Sequence, residues 1–238
     1  MLQAMILAAG LGTRLQPLTL SKPKALVQIN SITLLERNIR RLMSFDIDHI
    51  VINIHHFPEH IIDFVNSKHF DCHIVFSREQ DILLDTGGGL KHAQNLFIKD
   101  TDILVHNVDI LSDIDFSLLY ETHKKSNALV TLATRKRDSS RHLFFDACDK
   151  LCGWENTKTK ERIDVRNSNK ATQKLAFSGI QIIDYNLLSL MDKQGAFPII
   201  PEYLKLAERY TIKSFDHSLS KWIDVGKLPA IKEAERLF

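Results

Sequence analysis

Ala4-Met5-Ile6-Leu7-Ala8-Ala9-Gly10-Leu11-Gly12-Thr13-Arg14 decides the fold. Residues 4–8 are an apolar run of strand length, read as a strand buried on both faces. The run hands over directly to a glycine pair and an arginine. Open α/β sheets bind ligands at the C-terminal edge of their strands, where this loop would lie. Glycine lets backbone N–H groups approach an anionic oxygen, and Arg14 adds a forked cation suited to phosphate. The stretch is not the dinucleotide fingerprint, because Leu15 stands where the third glycine belongs. Nor is it a Walker loop, since no Gly-Lys-Ser/Thr follows. Taken alone it also fits an ordinary glycine turn beside a surface arginine.

Outward from this stretch, strands alternate with helices. β-branched or apolar runs at 49–54, 73–76, 102–106 and 128–134 predict strands. Thr33-Leu34-Leu35-Glu36 reads as a capping box opening a helix with Leu35, Ile39 and Leu42 on one face. Pro58 opens another helix, carrying Ile61, Ile62 and Val65. Residues 90–97 and 115–125 predict two more, the latter with Asp115 as N-cap. This β-α rhythm predicts an α/β fold with a mainly parallel sheet and helices on both faces. After residue 135 the rhythm changes. Strands are expected at 143–145 and 176–183, with a polar hairpin or flap over 155–170 between them, and helices at 198–210 and 227–237. With no linker, repeat or low-complexity tract, a single domain is expected over 1–238. Its nucleotide-binding half would be about 1–134 and its sugar-phosphate-binding half about 135–238.

Composition excludes several classes. The chain has 238 residues, 44% hydrophobic and 25% charged, the profile of an ordinary globular protein. Its net charge of +2 falls short of a dedicated nucleic-acid binder. No apolar run reaches the roughly 18 residues of a membrane span. No basic residue precedes Arg14, so a secretory leader is not expected, and three cysteines without framework spacing suit a reducing compartment. The expected location is the cytoplasm. Glycine occurs only 9 times, and five of these fall in two groups, Gly10 with Gly12 and Gly87-Gly88-Gly89. A chain that otherwise avoids glycine has placed it where backbone must turn sharply or meet a ligand.

Further motifs carry charge to the same end of the sheet. Lys22-Pro23-Lys24 would be a solvated loop by itself, but a lysine held near Arg14 can neutralise charge on a transferring phosphoryl group. Asp85-Thr86-Gly87-Gly88-Gly89 lies between a strand and a helix, where three glycines would let a flat ring or a phosphate pass close, or simply make a tight turn. Asn107-Val108-Asp109 ends a strand, and Trp222-Ile223-Asp224-Val225-Gly226 offers a second aspartate much later. Two carboxylates on strand tips suit Mg2+, which takes a few carboxylates together with phosphates and water. Other features point nowhere. Pro58 separates His56 from His60, Cys148 and Cys152 lack a second ligand pair, and helix capping accounts for Asp113-Ile114-Asp115. No Gly-x-Ser-x-Gly elbow is present.

Read together and in order, residues 7–14 with Pro17 and Thr19, Pro23-Lys24, Thr86-Gly87-Gly88-Gly89, Asn107-Val108-Asp109, Phe177-Ser178-Gly179 and 222–226 resemble the sugar-phosphate nucleotidyltransferase family. The resemblance implies a Rossmann-like α/β/α three-layer sandwich. It also implies transfer of a nucleotidyl group from a nucleoside triphosphate to a sugar 1-phosphate, with Mg2+ as cofactor and pyrophosphate released. Short length and the Thr-Gly-Gly-Gly element resemble most those members that use UTP and N-acetylmuramate 1-phosphate. Guanylyl transfer to mannose or heptose 1-phosphate stays open, and the β-helix acetyltransferase extension of some relatives is not expected. Carried over, Leu7, Ala8, Ala9, Gly10, Gly12, Thr13, Arg14 and Lys24 would bind the nucleotide, Arg14 and Lys24 acting in catalysis. Gly87 and Gly88 would border the base; Asn107, Ser178 and Gly179 would face the sugar; Asp109 and Asp224 would bind the metal. The family carries glycine before the metal aspartate, and Val108 in its place is expected to crowd the ligand. That departure leaves a second reading, a non-catalytic nucleotide-sugar-binding regulator, against which the retained Arg14, Lys24, Asp109 and Asp224 argue. The segment 155–170 matches no sugar-binding motif of the family, and oligomeric state is left open.

Overall fold

The computed structural model describes residues 2–166 and 171–238. The first half alternates as the apolar pattern predicts. Strand β1 (Leu2–Leu7) leads through two 3-10 turns to a small ribbon of β2 (Gln28–Ile29) and β3 (Ile32–Thr33), then to helix α1 (Leu34–Met43). There follow β4 (His49–Ile54), α2 (Pro58–Asn66), β5 (His73–Arg78), α3 (Asp85–His92), β6 (Asp102–Asn107), β7 (Ile110–Ser112), α4 (Phe116–Ser126) and β8 (Val130–Arg135). The second half holds β9 (Arg141–Phe145), β10 (Leu151–Asn156), β11 (Glu161–Asp164), β12 (Gln173–Ile183), α5 (Leu187–Leu190), α6 (Ile199–Leu206), β13 (Ile212–Asp216), β14 (Trp222–Asp224) and α7 (Leu228–Leu237).

The central sheet runs in the order β11-β10-β9-β12-β6-β1-β4-β5, with β8 pairing on β12 and β13 pairing in turn with β8. Its core, β6-β1-β4-β5, is parallel, and Met5 lies between Val51 and Val105. β12 then runs antiparallel to β6 and is long enough to pair with β8 along one stretch and β9 along another. Both faces are covered. Along β1, Ala4 and Ile6 pack with Leu35, Ile39 and Leu42 of α1, while Met5 points the other way toward Leu90 of α3 and Tyr203 of α6. Period-2 alternation with apolar residues in both positions is what a three-layer α/β/α sandwich requires. Each buried leucine, isoleucine or methionine of this kind contributes about 1.5–3 kcal/mol. Among the described residues no helix is long and apolar enough to cross a membrane.

Helix starts follow the capping chemistry. Thr33 accepts a hydrogen bond from the Glu36 N–H (3.1 Å), Asp115 from the Leu118 N–H (3.0 Å), and Pro58 occupies the first turn of α2. The glycine-rich helix departs from expectation. α3 begins at Asp85 rather than residue 90, so all three glycines lie inside it, and residues 93–96 tighten into a 3-10 turn. Its cause is packing against the segment before α6. The N–H groups of Gly87 and Gly88 donate to the Phe197 carbonyl (2.9 and 3.1 Å), and a Cβ on Gly87 would stand 2.5 Å from the Phe197 ring. The polar segment 155–170 is a hairpin as far as it is described, β10 and β11 pairing from Asn156 opposite Glu161; residues 167–170 lie outside the described residues. Sequence patterning does not foresee the β2–β3 pair or β7, and of the β7–β14 pair it foresees only the short strand that carries Asp224, not its partner.

Candidate active site

Three parallel strand tips stand side by side, Asn53 and Asn107 flanking Leu7 in register. The opening glycine loop leaves from the middle tip and forms the floor of a cleft of about 540 Å³. Leu7, Ala9, Gly10 and Lys24 line one side of it; Leu83, Asp85, Thr86 and Ala196 line another. Among the described residues, its own chain neighbours aside, no atom lies within 4 Å of the place a Gly10 side chain would take, so the loop is open there. Gly12 has φ +65°, and a Cβ would stand 2.9 Å from the Lys24 Cβ, so glycine lets the loop fold onto the Lys24 turn. Ala8 is buried and spends its N–H on Asn53, and Thr13 is exposed in the turn that follows.

The charged residues meet at one point, and local pairing explains why. β14 runs antiparallel to β7 with Asp224 opposite Ile110, and the Val225 N–H donates to the Asp109 carbonyl (2.8 Å). This brings a carboxylate from late in the chain beside Asp109 at the end of β6. Gly226 leaves the space between them. A Cβ there would lie 2.6 Å from Asp224 Oδ1, 2.7 Å from Arg14 Nη2 and 3.3 Å from Asp109 Oδ2. Lys24 completes the group through an ion pair with Asp109, both side chains being nearly buried. Burial first, and then the neighbouring Asp109 carboxylate, push the Asp224 carboxyl above its ordinary value. Two crowded, partly desolvated carboxylates are the donor set that a hard divalent cation relieves, with phosphates and water filling its remaining positions.

Other sequence-predicted residues fall at varying distances from this point. Asn107 lines the cleft, and Gly179 packs on it: at φ +75°, a Cβ would stand 2.9 Å from Asn107 Nδ2. Ser178 does not line the cleft. It is buried, its hydroxyl 2.6 Å from His217 Nε2 and its carbonyl accepting from Trp222 Nε1 (2.9 Å), so it anchors β14 to β12. Gly87 and Gly88 sit behind the wall that Asp85 and Thr86 present, their amides committed to Phe197. Val108 lines the cleft between Asn107 and Asp109, yet it is only 3% exposed, its side chain packed in the core and its carbonyl held by Asn38 Nδ2 (2.8 Å). Sequence reasoning missed Asn53 and Gly226. Asn53 had a signal, a lone amide at the C-terminal end of an otherwise β-branched strand. A second pocket of about 220 Å³, lined by Arg137, Trp154 and Phe177, lies on the β9–β10 side. The Arg137 guanidinium sits 4.8 Å from the Trp222 ring centroid and feels the charge of Asp224.

A family model described as nucleotidyl transferase matches residues 3–143. The chain is 30% identical over 230 residues to the mannose-1-phosphate guanyltransferase of Yarrowia lipolytica, covering 95% of this chain and 61% of that one. Against the N-acetylmuramate alpha-1-phosphate uridylyltransferase of Caulobacter vibrioides it is 38% identical over 109 residues, 44% of this chain and 45% of the relative. It therefore spans less than two thirds of the length of either. Among solved structures, HddC from Yersinia pseudotuberculosis complexed with GMP-PN superposes with a TM-score of 0.79 at 21% identity, covering 99% of both chains. That likeness is one of fold.

Proposed function

The chain belongs to the nucleotidyl transferase family, and from that membership we propose that it joins a nucleoside triphosphate to a sugar 1-phosphate. An oxygen of the sugar phosphate forms a bond to the α-phosphorus, the bond to the bridging α–β oxygen breaks, and pyrophosphate leaves. The observation that carries this reading is the convergence of Arg14, Lys24, Asp109 and Asp224 around Gly226, beside a glycine loop at the strand tips.

The attacking oxygen is already an anion, so the site needs no strong general base. The obstacle is repulsion between two anions and their in-line alignment. Lys24 from the lining of the cleft and Arg14 from beside Gly226 would offset that repulsion and orient the triphosphate. Asp109 and Asp224 would hold Mg2+, which when bound supplies neutralisation of phosphate charge. Asn107 stands beside the carboxylates on the sugar side, and the Arg137–Trp154–Phe177 pocket offers room for the sugar ring.

For the substrate pair we put UTP with N-acetylmuramate 1-phosphate first, on the 38% identity over 109 residues to a uridylyltransferase of that name. Guanylyl transfer to mannose or heptose 1-phosphate is the second reading, supported by relatives named mannose-1-phosphate guanyltransferase that match along most of the chain. Pyrophosphate release with each of GTP and UTP against mannose, heptose and N-acetylmuramate 1-phosphates in the presence of Mg2+ tests both. Turnover with a single pair identifies the substrate; no turnover with any pair would refute the proposal.

A further inference from the structure

Asn53 and Glu79 form a buried relay between the two walls of the cleft. Each is 3% exposed. Asn53 Oδ1 accepts from the N–H groups of Ala8 (2.7 Å) and Ala9 (3.4 Å), the first residues of the glycine loop. Asn53 Nδ2 donates to Glu79 Oε1 (2.7 Å), and Glu79 Oε2 accepts from the Leu84 N–H (2.8 Å). Leu84 stands between Leu83 and Asp85 of the opposite wall, and its carbonyl accepts from Phe197 N–H (3.1 Å) beside Ala196. Gly89 makes room for the relay: a Cβ there would lie 2.7 Å from Glu79 Oε1 and 2.9 Å from Asn53 Nδ2.

The polarity of the relay is fixed along its length. Backbone N–H groups at both ends are donors, so the two side chains must present acceptors outward and one donor between them. An amide at 53 and a carboxylate at 79 meet that need. The carboxylate also prevents the Asn53 amide from flipping, because the flip would set oxygen against oxygen. A buried carboxylate that, among the described residues, is satisfied only by neutral N–H donors is costly to keep for packing alone. We propose that Asn53 and Glu79 are positioning residues, a clamp that fixes the glycine loop relative to the 83–86 wall and so sets the affinity for the nucleoside triphosphate. The proposal rests on the nucleotidyl-transfer reading for its ligand, though not for its geometry.

The same logic supplies the test. In Glu79→Gln, the glutamine offers one acceptor to two donors. In Asn53→Asp, two carboxylates face each other. In the double variant the polarity simply reverses: the introduced aspartate accepts from Ala8 and from the amide of the introduced glutamine, whose own oxygen accepts from Leu84. Hydrogen exchange at the Ala8 and Leu84 amides, binding of GTP and UTP by calorimetry, and melting temperature are measured on all four proteins. Each single variant is expected to speed exchange at both amides and weaken triphosphate binding about tenfold, the scale of a lost charge-assisted hydrogen bond. The double variant is expected to restore both. Glu79→Gln, isosteric and uncharged, keeps the test open if Asn53→Asp fails to fold. Unchanged exchange at both amides in Glu79→Gln overturns the clamp. So does a single variant that melts earlier yet binds triphosphate like wild type, or a double variant no better than the singles. Wild-type protein that shows the expected exchange pattern but turns over no substrate pair would count against the proposed function and not against the clamp's geometry.

Discussion

Asp109 is the residue on which charge, sequence and geometry coincide. Its carboxylate faces Lys24 and lies beside Asp224. Replacing it with Asn keeps the shape and removes one of two hard donors. Turnover is expected to fall at least about a hundredfold, while nucleotide binding, read by calorimetry, largely survives. Unchanged turnover would refute the metal assignment, and normal binding without turnover in the wild type would favour a regulator instead. Gly226→Ala is expected to lower kcat about tenfold, because its methyl group would displace the Arg14 guanidinium and press on Asp224; an unaltered pyrophosphate-release rate would show that the gap is not needed. Both aspartates are legible as acidic residues at strand ends. Gly226 is not, because its lack of a side chain matters only once Arg14, Asp109 and Asp224 have been brought round it. Ser178 shows the opposite failure: its motif is legible, but the hydroxyl turns to His217 in the core.

Elements whose signals are local are readable in the sequence, and those defined by distant partners are not. α1, α2 and α4 announce themselves by Thr33, Pro58 and Asp115, residues that satisfy or dispense with the free N–H groups of a first helical turn. Thr33→Ala is accordingly expected to lower unfolding free energy by about 1 kcal/mol, measured by denaturant titration, with kcat unchanged. The start of α3 escapes such reading because glycine propensity argues against a helix over residues 87–89, and the contact that overrides it comes from Phe197. β7 and β14 are three residues each, too short for a period to register, and they exist because they pair. That pairing, rather than either segment's own propensity, is what places Asp224.

On the scale of the whole molecule, two apolar faces on one sheet make the fold legible from β1 outward, while the antiparallel second half depends on how β12 divides its pairing between β8 and β9. A sheet buried on both sides also traps titratable groups. His106, on β6 and 1% exposed, has its pKa lowered to about 4, chiefly by burial. Between about 4 and the ordinary 6.5 the unfolded chain binds a proton that the folded chain refuses, so stability rises with pH across that window. The contribution is complete above 6.5 and lost as pH falls toward 4, amounting to about 3 kcal/mol. Denaturant unfolding of wild type and His106→Gln at both ends of the window is expected to show a smaller pH slope in the variant; equal slopes would remove His106 as the cause. The β7–β14 pairing has one more consequence. Because the second acidic arm arrives only with β14, a nascent or proteolytically nicked polypeptide lacking that strand would leave Asp109 without its acidic neighbour, so under the proposed function competence for chemistry would report that synthesis and folding have reached β14.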